Sequence, residues 1–170
     1  MSEKLHSKLR RLARLSSYVL VSAIFPGSLA LANPPEIGLW FDDSGRGAVQ
    51  IAPCGERLCG HIFWLEKETN ASGQPLRDKY NPEANMRNRM ICGIQVLGNL
   101  APLSDGSWGD GWVYDPKVGK SYNVEIKLAQ PDTLTVYGYA GVKLFGKSLT
   151  WKRAPDDLPK CKTGQSASGS

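Results

Sequence analysis

The sequence predicts an all-β protein, an antiparallel up-and-down barrel of eight strands with one long loop that has room for a short helix. Three observations predict it. Apolar and polar residues alternate with a period of two, most plainly over Ser121 to Leu128. Turn residues punctuate the chain at hairpin length, in Asp42-Asp43-Ser44-Gly45, Pro53-Cys54-Gly55-Glu56, Asp115-Pro116-Lys117-Val118-Gly119 and Gln130-Pro131-Asp132. One connection alone, Glu66 to Met90, is long and polar.

The strands follow in order as Ile37 to Phe41, Gly47 to Ala52, Leu58 to Leu65, Ile94 to Leu100, Gly111 to Asp115, Ser121 to Leu128, Thr133 to Ala140 and Leu149 to Arg153. Short connections make sequence neighbours antiparallel partners. The long connection carries Asn70-Ala71-Ser72-Gly73 and Asn81-Pro82, with a helical turn expected around Glu83 to Arg89. Eight short strands remove their edges most completely by closing, and an eight-stranded barrel holds side chains or one small ligand. A two-sheet sandwich is the alternative.

Before the first strand the composition changes. Residues 1 to 15 hold five of the 21 basic residues and one of the 16 acidic ones, and an apolar run from Tyr18 to Phe25 follows. That run falls well short of the ~20 residues a membrane-spanning helix needs. Ala30-Leu31-Ala32 then presents the small residues a signal peptidase accepts, so residues 1–32 read as a cleaved signal peptide, with cleavage after Ala32. Residues 33–155 read as a single domain and 156–170 as a polar C-terminal tail. The expected location is the periplasm or the exterior, with no stable membrane anchor.

Export changes the meaning of the charge. Of the net +5, +4 belongs to the leader, which leaves +1. The remaining Lys and Arg are scattered singly, without a basic run or helix, so nucleic acid is not an expected partner.

All four cysteines follow Ala32, where an oxidising compartment permits disulfides. Four cysteines allow three pairings. Cys54 and Cys59 flank a span short enough to clip a hairpin, at roughly 2 kcal/mol by loop entropy. Cys92 with Cys161 is then the long closure, worth roughly 4 kcal/mol where geometry permits. A metal site on Cys54 and Cys59 would need further ligands, and His61 is the one histidine after Ala32. No metal or cofactor is expected.

Catalytic motifs are absent from the sequence: there is no Gly-x-Ser-x-Gly, and Gly45-Arg46-Gly47 lacks what a phosphate-cradling loop requires. His61 reads as a strand residue. The densest polar group is Asp78, Asn81, Arg87 and Arg89, able either to clamp an anion or to tie the long loop over a barrel mouth. Trp64, Trp112, Tyr114 and Tyr122 are candidate ligand-wall residues, since such pockets want apolar walls with a few polar anchors. Asp78, Asp110 and Asp115 are the carboxylates from which a hydrolase would draw its pair. The leading expectation is therefore a non-catalytic binder of a small apolar or amphipathic molecule. The competing one is a filled barrel acting on an envelope protein or cell-wall partner, and the third is a carboxylate-dependent hydrolase.

Two resemblances sharpen this. Gly38-Leu39-Trp40 in the first strand and Trp151-Lys152-Arg153 in the last resemble the lipocalin arrangement, in which a first-strand Trp packs against a last-strand Arg and closes one end. The wider pattern comprises Ile37 to Trp40, Ile51 to Gly55, Leu58 to Leu65, Asp78 with Asn81-Pro82, Arg87-x-Arg89 with Cys92-Gly93, Gly111 to Pro116, Gly119-Lys120-x-Tyr122 and Leu149 to Arg153. It resembles the bacterial exported family catalogued as domain of unknown function 2147, over nearly all of Ile37 to Arg153. The resemblance implies a lipocalin-like envelope barrel with no established reaction or ligand. The chain departs from the family near Tyr139 to Phe145, where many members carry a cysteine pair, and this leaves the partner of Cys92 open.

Overall fold

In a computed structural model, which describes residues 33–162, the alternating segments become eight strands. They are β1 (Gly38–Phe41), β2 (Gly47–Cys54), β3 (Arg57–Leu65), β4 (Gln95–Pro102), β5 (Trp108–Asp115), β6 (Lys120–Gln130), β7 (Thr133–Tyr139) and β8 (Lys147–Arg153). Each pairs antiparallel with its neighbour in sequence, and β1 also pairs with β8, placing Trp40 opposite Arg153 and Phe41 opposite Lys152. The sheet is a closed barrel, so no strand edge is left open. The leader expected over residues 1–32 and the last eight residues of the tail lie outside the described residues.

Alternation sets the core. Val124 and Ile126 of β6, Leu134 and Val136 of β7 and Trp151 of β8 are buried, with Val49, Ile51, Leu58 and Ile62 completing the opposite wall. Gly60 is needed where β3 and β4 meet: a Cβ there would stand 2.9 Å from Val49 Cγ1 and 3.0 Å from Leu97 Cβ.

Connections at one end are short: the β2–β3, β4–β5 and β6–β7 hairpins. The other end receives the β1–β2, β5–β6 and β7–β8 connections and the long loop between β3 and β4. In that loop the expected helical turn shrinks to a 3-10 turn at Ala84–Met86, and isolated bridges Thr69 to Pro75 and Arg77 to Met90 hold the rest. A second 3-10 turn, Lys143–Phe145, lies in the β7–β8 connection, where the sequence predicts no helix.

Cys54 is bridged to Cys59 across the β2–β3 hairpin, and Cys92 to Cys161, with Cα separations of 5.8 and 6.0 Å, both inside the bridgeable range. The long bridge carries the segment after Ala154 back along the wall. Cys161 is buried, its N–H donates to Phe63 O at 2.8 Å, and Lys162 N–H donates to Glu68 Oε2 at 2.9 Å.

Candidate functional site

The two ends of the barrel are chemically different. At the short-hairpin end Trp40 is fully buried, and Arg153 lies over its ring with Cζ 4.1 Å from the centroid. The guanidinium donates to Pro131 O at 2.9 Å, to Ile37 O at 3.3 Å and to Pro35 O at 2.6 Å. Trp40 Nε1 donates to Glu36 O at 2.8 Å, and the Glu36 carboxylate accepts from Trp108 Nε1 at 3.2 Å. Gly38 makes room: at φ +132°, a Cβ would stand 2.8 Å from Arg153. This cluster seals the end.

At the other end a cavity of about 610 Å³ opens between the long loop and the turns. Val49, Ile62, Val136, Leu149 and Trp151 form its walls, Leu76 and Ile91 of the long loop lean over it, and Asp42, Asp43, Asp115, Lys117 and Lys147 rim it. The rim is partly self-neutralised, with Lys117 Nζ 3.6 Å from Asp42 Oδ2. A second hollow of about 480 Å³ lies beyond the loop and shares Leu76, Ile91, Pro116 and Lys117 with the first. Those four residues are thus the partition between the two.

A buried polar network fixes the loop. Asp78 is fully buried; its Oδ1 accepts from Tyr114 Oη at 2.6 Å, and its Oδ2 accepts from Asn81 Nδ2 at 2.8 Å and from Arg89 Nε at 2.9 Å. A second Arg89 nitrogen stands 2.8 Å from Oδ2, which makes the pair an ion pair. Asn81 Nδ2 also reaches Tyr114 Oη at 3.1 Å, and Asn81 Oδ1 accepts from Glu83 N–H at 2.9 Å. Arg87 Nε donates to Asn81 O at 2.8 Å. Burial first, and then the carboxylate that its hydroxyl serves, push the Tyr114 phenol up to about 12. Gly119 lets the β5–β6 turn approach the same loop, since a Cβ there would collide with Tyr80 O.

The structure therefore brings Asp78, Asn81, Arg87, Arg89 and Tyr114 together, and they bond one another and the loop backbone. Tyr114 and Tyr122 line the cavity. Trp64 and Trp112, expected on its wall, do not line it. Between Ala48 and Val49 the β2–β3 register shifts, so Ile62 and then Leu65 face the cavity while Trp64 packs edge-on against Phe41, with centroids 5.6 Å apart. In β5 Val113 takes the inward position, and the Trp112 indole lies over Gly98, where a Cβ would meet it at 2.4 Å. His61 is exposed.

The three carboxylates do not form a pair of free groups. Asp78 is committed as above, and Asp115 accepts from Lys117 N–H at 2.9 Å as the cap of its own turn. Asp110 is exposed and stands five strand positions before Asp115, roughly 16 Å between Cα atoms at ~3.3 Å per residue. Sequence reasoning missed Trp151, Leu149 and Val136 as wall residues, although alternation in β7 and β8 points all three inward.

A closed eight-stranded antiparallel barrel, capped by a Trp–Arg pair at one end and hollow at the other, defines a lipocalin-like protein. The model of a family described as an uncharacterised protein conserved in bacteria, domain of unknown function 2147, matches residues 38–153, and the chain belongs to that family. Among solved structures it is similar to protein HP1028 from the human pathogen Helicobacter pylori, which is described as belonging to the lipocalin family. The two are 25% identical with a TM-score of 0.55, over 65% of this chain and 73% of that one. No curated protein matches.

Proposed function

We propose that this is an exported periplasmic protein that binds one small apolar or amphipathic molecule in the open-end cavity without transforming it. The cavity carries the reading. Its volume of about 610 Å³ falls within the ~300–1,000 Å³ of small-molecule sites, and its walls are mainly carbon. A barrel packed solid with its own side chains would lack that space. Tyr114 and Tyr122 serve as wall residues, while Asp78, Asn81, Arg87 and Arg89 act by holding the loop over the mouth. Export is supported by the basic-then-apolar leader with its Ala-x-Ala end, and two disulfides suit an oxidising compartment.

The test is native mass spectrometry of protein purified from the periplasm of the producing cell. We expect a polypeptide beginning at Asn33 with a co-purifying small mass, released when the protein is denatured. A bare polypeptide that also fails to enhance the fluorescence of an apolar naphthalene dye overturns the binding reading. A polypeptide that retains residues 1–32 overturns the export reading.

A second reading has its own observation. Val142, Leu144 and Phe145 of the β7–β8 connection are 64%, 85% and 78% exposed beside the mouth, a concentration of apolar surface suited to an envelope protein or cell-wall partner. In-cell photocrosslinking from position 144 tests it, and a crosslinked species that disappears on Phe145→Ser supports it.

A further inference from the structure

Apolar surface is gathered at one pole of the barrel. Among the described residues, the large apolar side chains left exposed are Tyr80, Met86, Val118, Val142, Leu144 and Phe145. Tyr80 and Met86 belong to the long loop, Val118 to the β5–β6 turn and the other three to the β7–β8 connection, so all stand at the open end. The long loop and the β5–β6 turn touch where Gly119 packs on Tyr80 O. Single apolar residues scattered over a surface need no explanation, but their concentration around the mouth of a cavity does.

Charge follows the same axis. The connections of the sealed end, residues 55–56, 103–107 and 131–132, carry Glu56, Asp105 and Asp132 and no Lys or Arg. Those of the open end, residues 42–46, 66–94, 116–119 and 140–146, hold eight Lys and Arg against six Asp and Glu. The lysines stand directly among the exposed apolar residues: Lys79 adjoins Tyr80, Lys117 and Lys120 flank Val118, and Lys143 and Lys147 are interleaved with Val142, Leu144 and Phe145. Lys117 and Lys143 pair with Asp42 and Glu125, at 3.6 and 2.6 Å. Lys79, whose Nζ lies 4.7 Å from the Tyr80 ring centroid, and Lys120 and Lys147 are exposed and make no ion pair among the described residues.

We infer that the open end is a docking face for an anionic lipid surface: its apolar side chains enter the boundary between headgroups and acyl chains, and its lysines lie among the lipid phosphates. Apolar residues drawn from three separate connections, each interleaved with lysine, have the composition of an interfacial segment. The acidic connections of the sealed end are repelled by the same surface, so the mouth is the pole that faces the lipid. The contact is reversible, because a few side chains and lysines supply no more than a marginal membrane affinity. This goes beyond the binding reading and stands independently of it. Where both hold, an apolar ligand passes between bilayer and cavity without crossing water.

The test is sedimentation of protein recovered from the periplasm, beginning at Asn33, with vesicles of equal parts phosphatidylglycerol and phosphatidylethanolamine and with vesicles of phosphatidylcholine alone. We expect about tenfold stronger partitioning onto the anionic vesicles, weakened by added salt. Leu144→Ser with Phe145→Ser, and separately Lys79→Gln with Lys120→Gln, should each lower it by about tenfold. All four positions are exposed, so the substitutions leave the core untouched. In the unaltered protein, added anionic vesicles should slow amide exchange at Val118 and over residues 142–146 and leave residues 103–107 unchanged. Equal partitioning onto the two kinds of vesicle, or protection at the sealed end instead, overturns the proposal. Failure to sediment with either also overturns it, and a protein crosslink from position 144 would then give the face to a protein partner. None of the four substituted residues lines the cavity, so a co-purifying small mass should persist in both variants. Its absence from a protein that still binds anionic vesicles overturns the cavity reading alone.

Discussion

At the sealed end of the barrel Arg153 covers a Trp face and gives its nitrogens to three backbone carbonyls, whereas at the open end Arg89 gives its nitrogens to a buried carboxylate held by a loop. Both ends use a guanidinium beside an aromatic ring, since Arg89 Cζ also stands 5.8 Å from the Tyr114 centroid. The sealed end joins the first strand to the last, so its bonds close the sheet. Those of the open end join an excursion to the rim, so they position a cover and leave the space beneath it free. Each end also has one disulfide: a short one in the β2–β3 hairpin and a long one beside the loop.

The largest effect should come from breaking the seal. Trp40→Ala removes a fully buried indole and the ring under Arg153, and should lower unfolding stability by about 3–5 kcal/mol in urea titration. A loss below 1 kcal/mol would show that the seal is not a structural keystone.

Next in size, the two disulfides should differ. Their sequence separations are 69 and 5 residues, so loop entropy predicts a loss of about 4 kcal/mol for Cys92→Ser with Cys161→Ser, against about 2 kcal/mol for Cys54→Ser with Cys59→Ser. Chemical denaturation of the two double variants measures the ratio, and equal losses would contradict the entropic account.

Smaller again is the loop tie. Asp78→Ala deprives Tyr114, Asn81 and Arg89 of their acceptor. Because the Arg89 side chain is 36% exposed it can regain water, which limits the cost to about 2 kcal/mol. Amide exchange should accelerate between Leu76 and Met90 and stay unchanged at the sealed end; equal acceleration at both ends would show that the two are one cooperative unit.

A last effect, confined to alkaline solution, is a pH dependence. Tyr114 keeps its proton to about 12 when folded and loses it near 10 when unfolded, so its contribution is complete below pH 10 and is lost as pH rises through 12. Between those values the unaltered protein should lose stability more steeply than Tyr114→Phe. Parallel alkaline melts would remove Tyr114 from the account.

The sealed end was the more legible of the two in the sequence. Trp40 and Arg153 sit on strands whose alternation is plain, and joining first strand to last makes them neighbours. The open end depends on irregularities that a period of two cannot carry. One shift between Ala48 and Val49 exchanges Trp64 for Leu65 at the cavity, and the missing side chain at Gly98 leaves the room that the Trp112 indole fills. The polar set Asp78, Asn81, Arg87 and Arg89 was visible as a cluster in the loop. That its members bond chiefly to one another and to Tyr114 depends on the loop folding onto β5, a long-range contact that local sequence does not carry.

The Cys92–Cys161 bridge also gives the molecule a direction. Asn33 enters beside the sealed end, where Arg153 holds Pro35 O, and Lys162 leaves beside the long loop, where it meets Glu68. The described chain therefore starts at one pole and finishes toward the other. A surface tether joined ahead of Asn33 would turn the cavity toward the solution, and one joined after Lys162 would turn it toward the support. Immobilised in the two ways, the same protein should capture a bulky ligand at different rates.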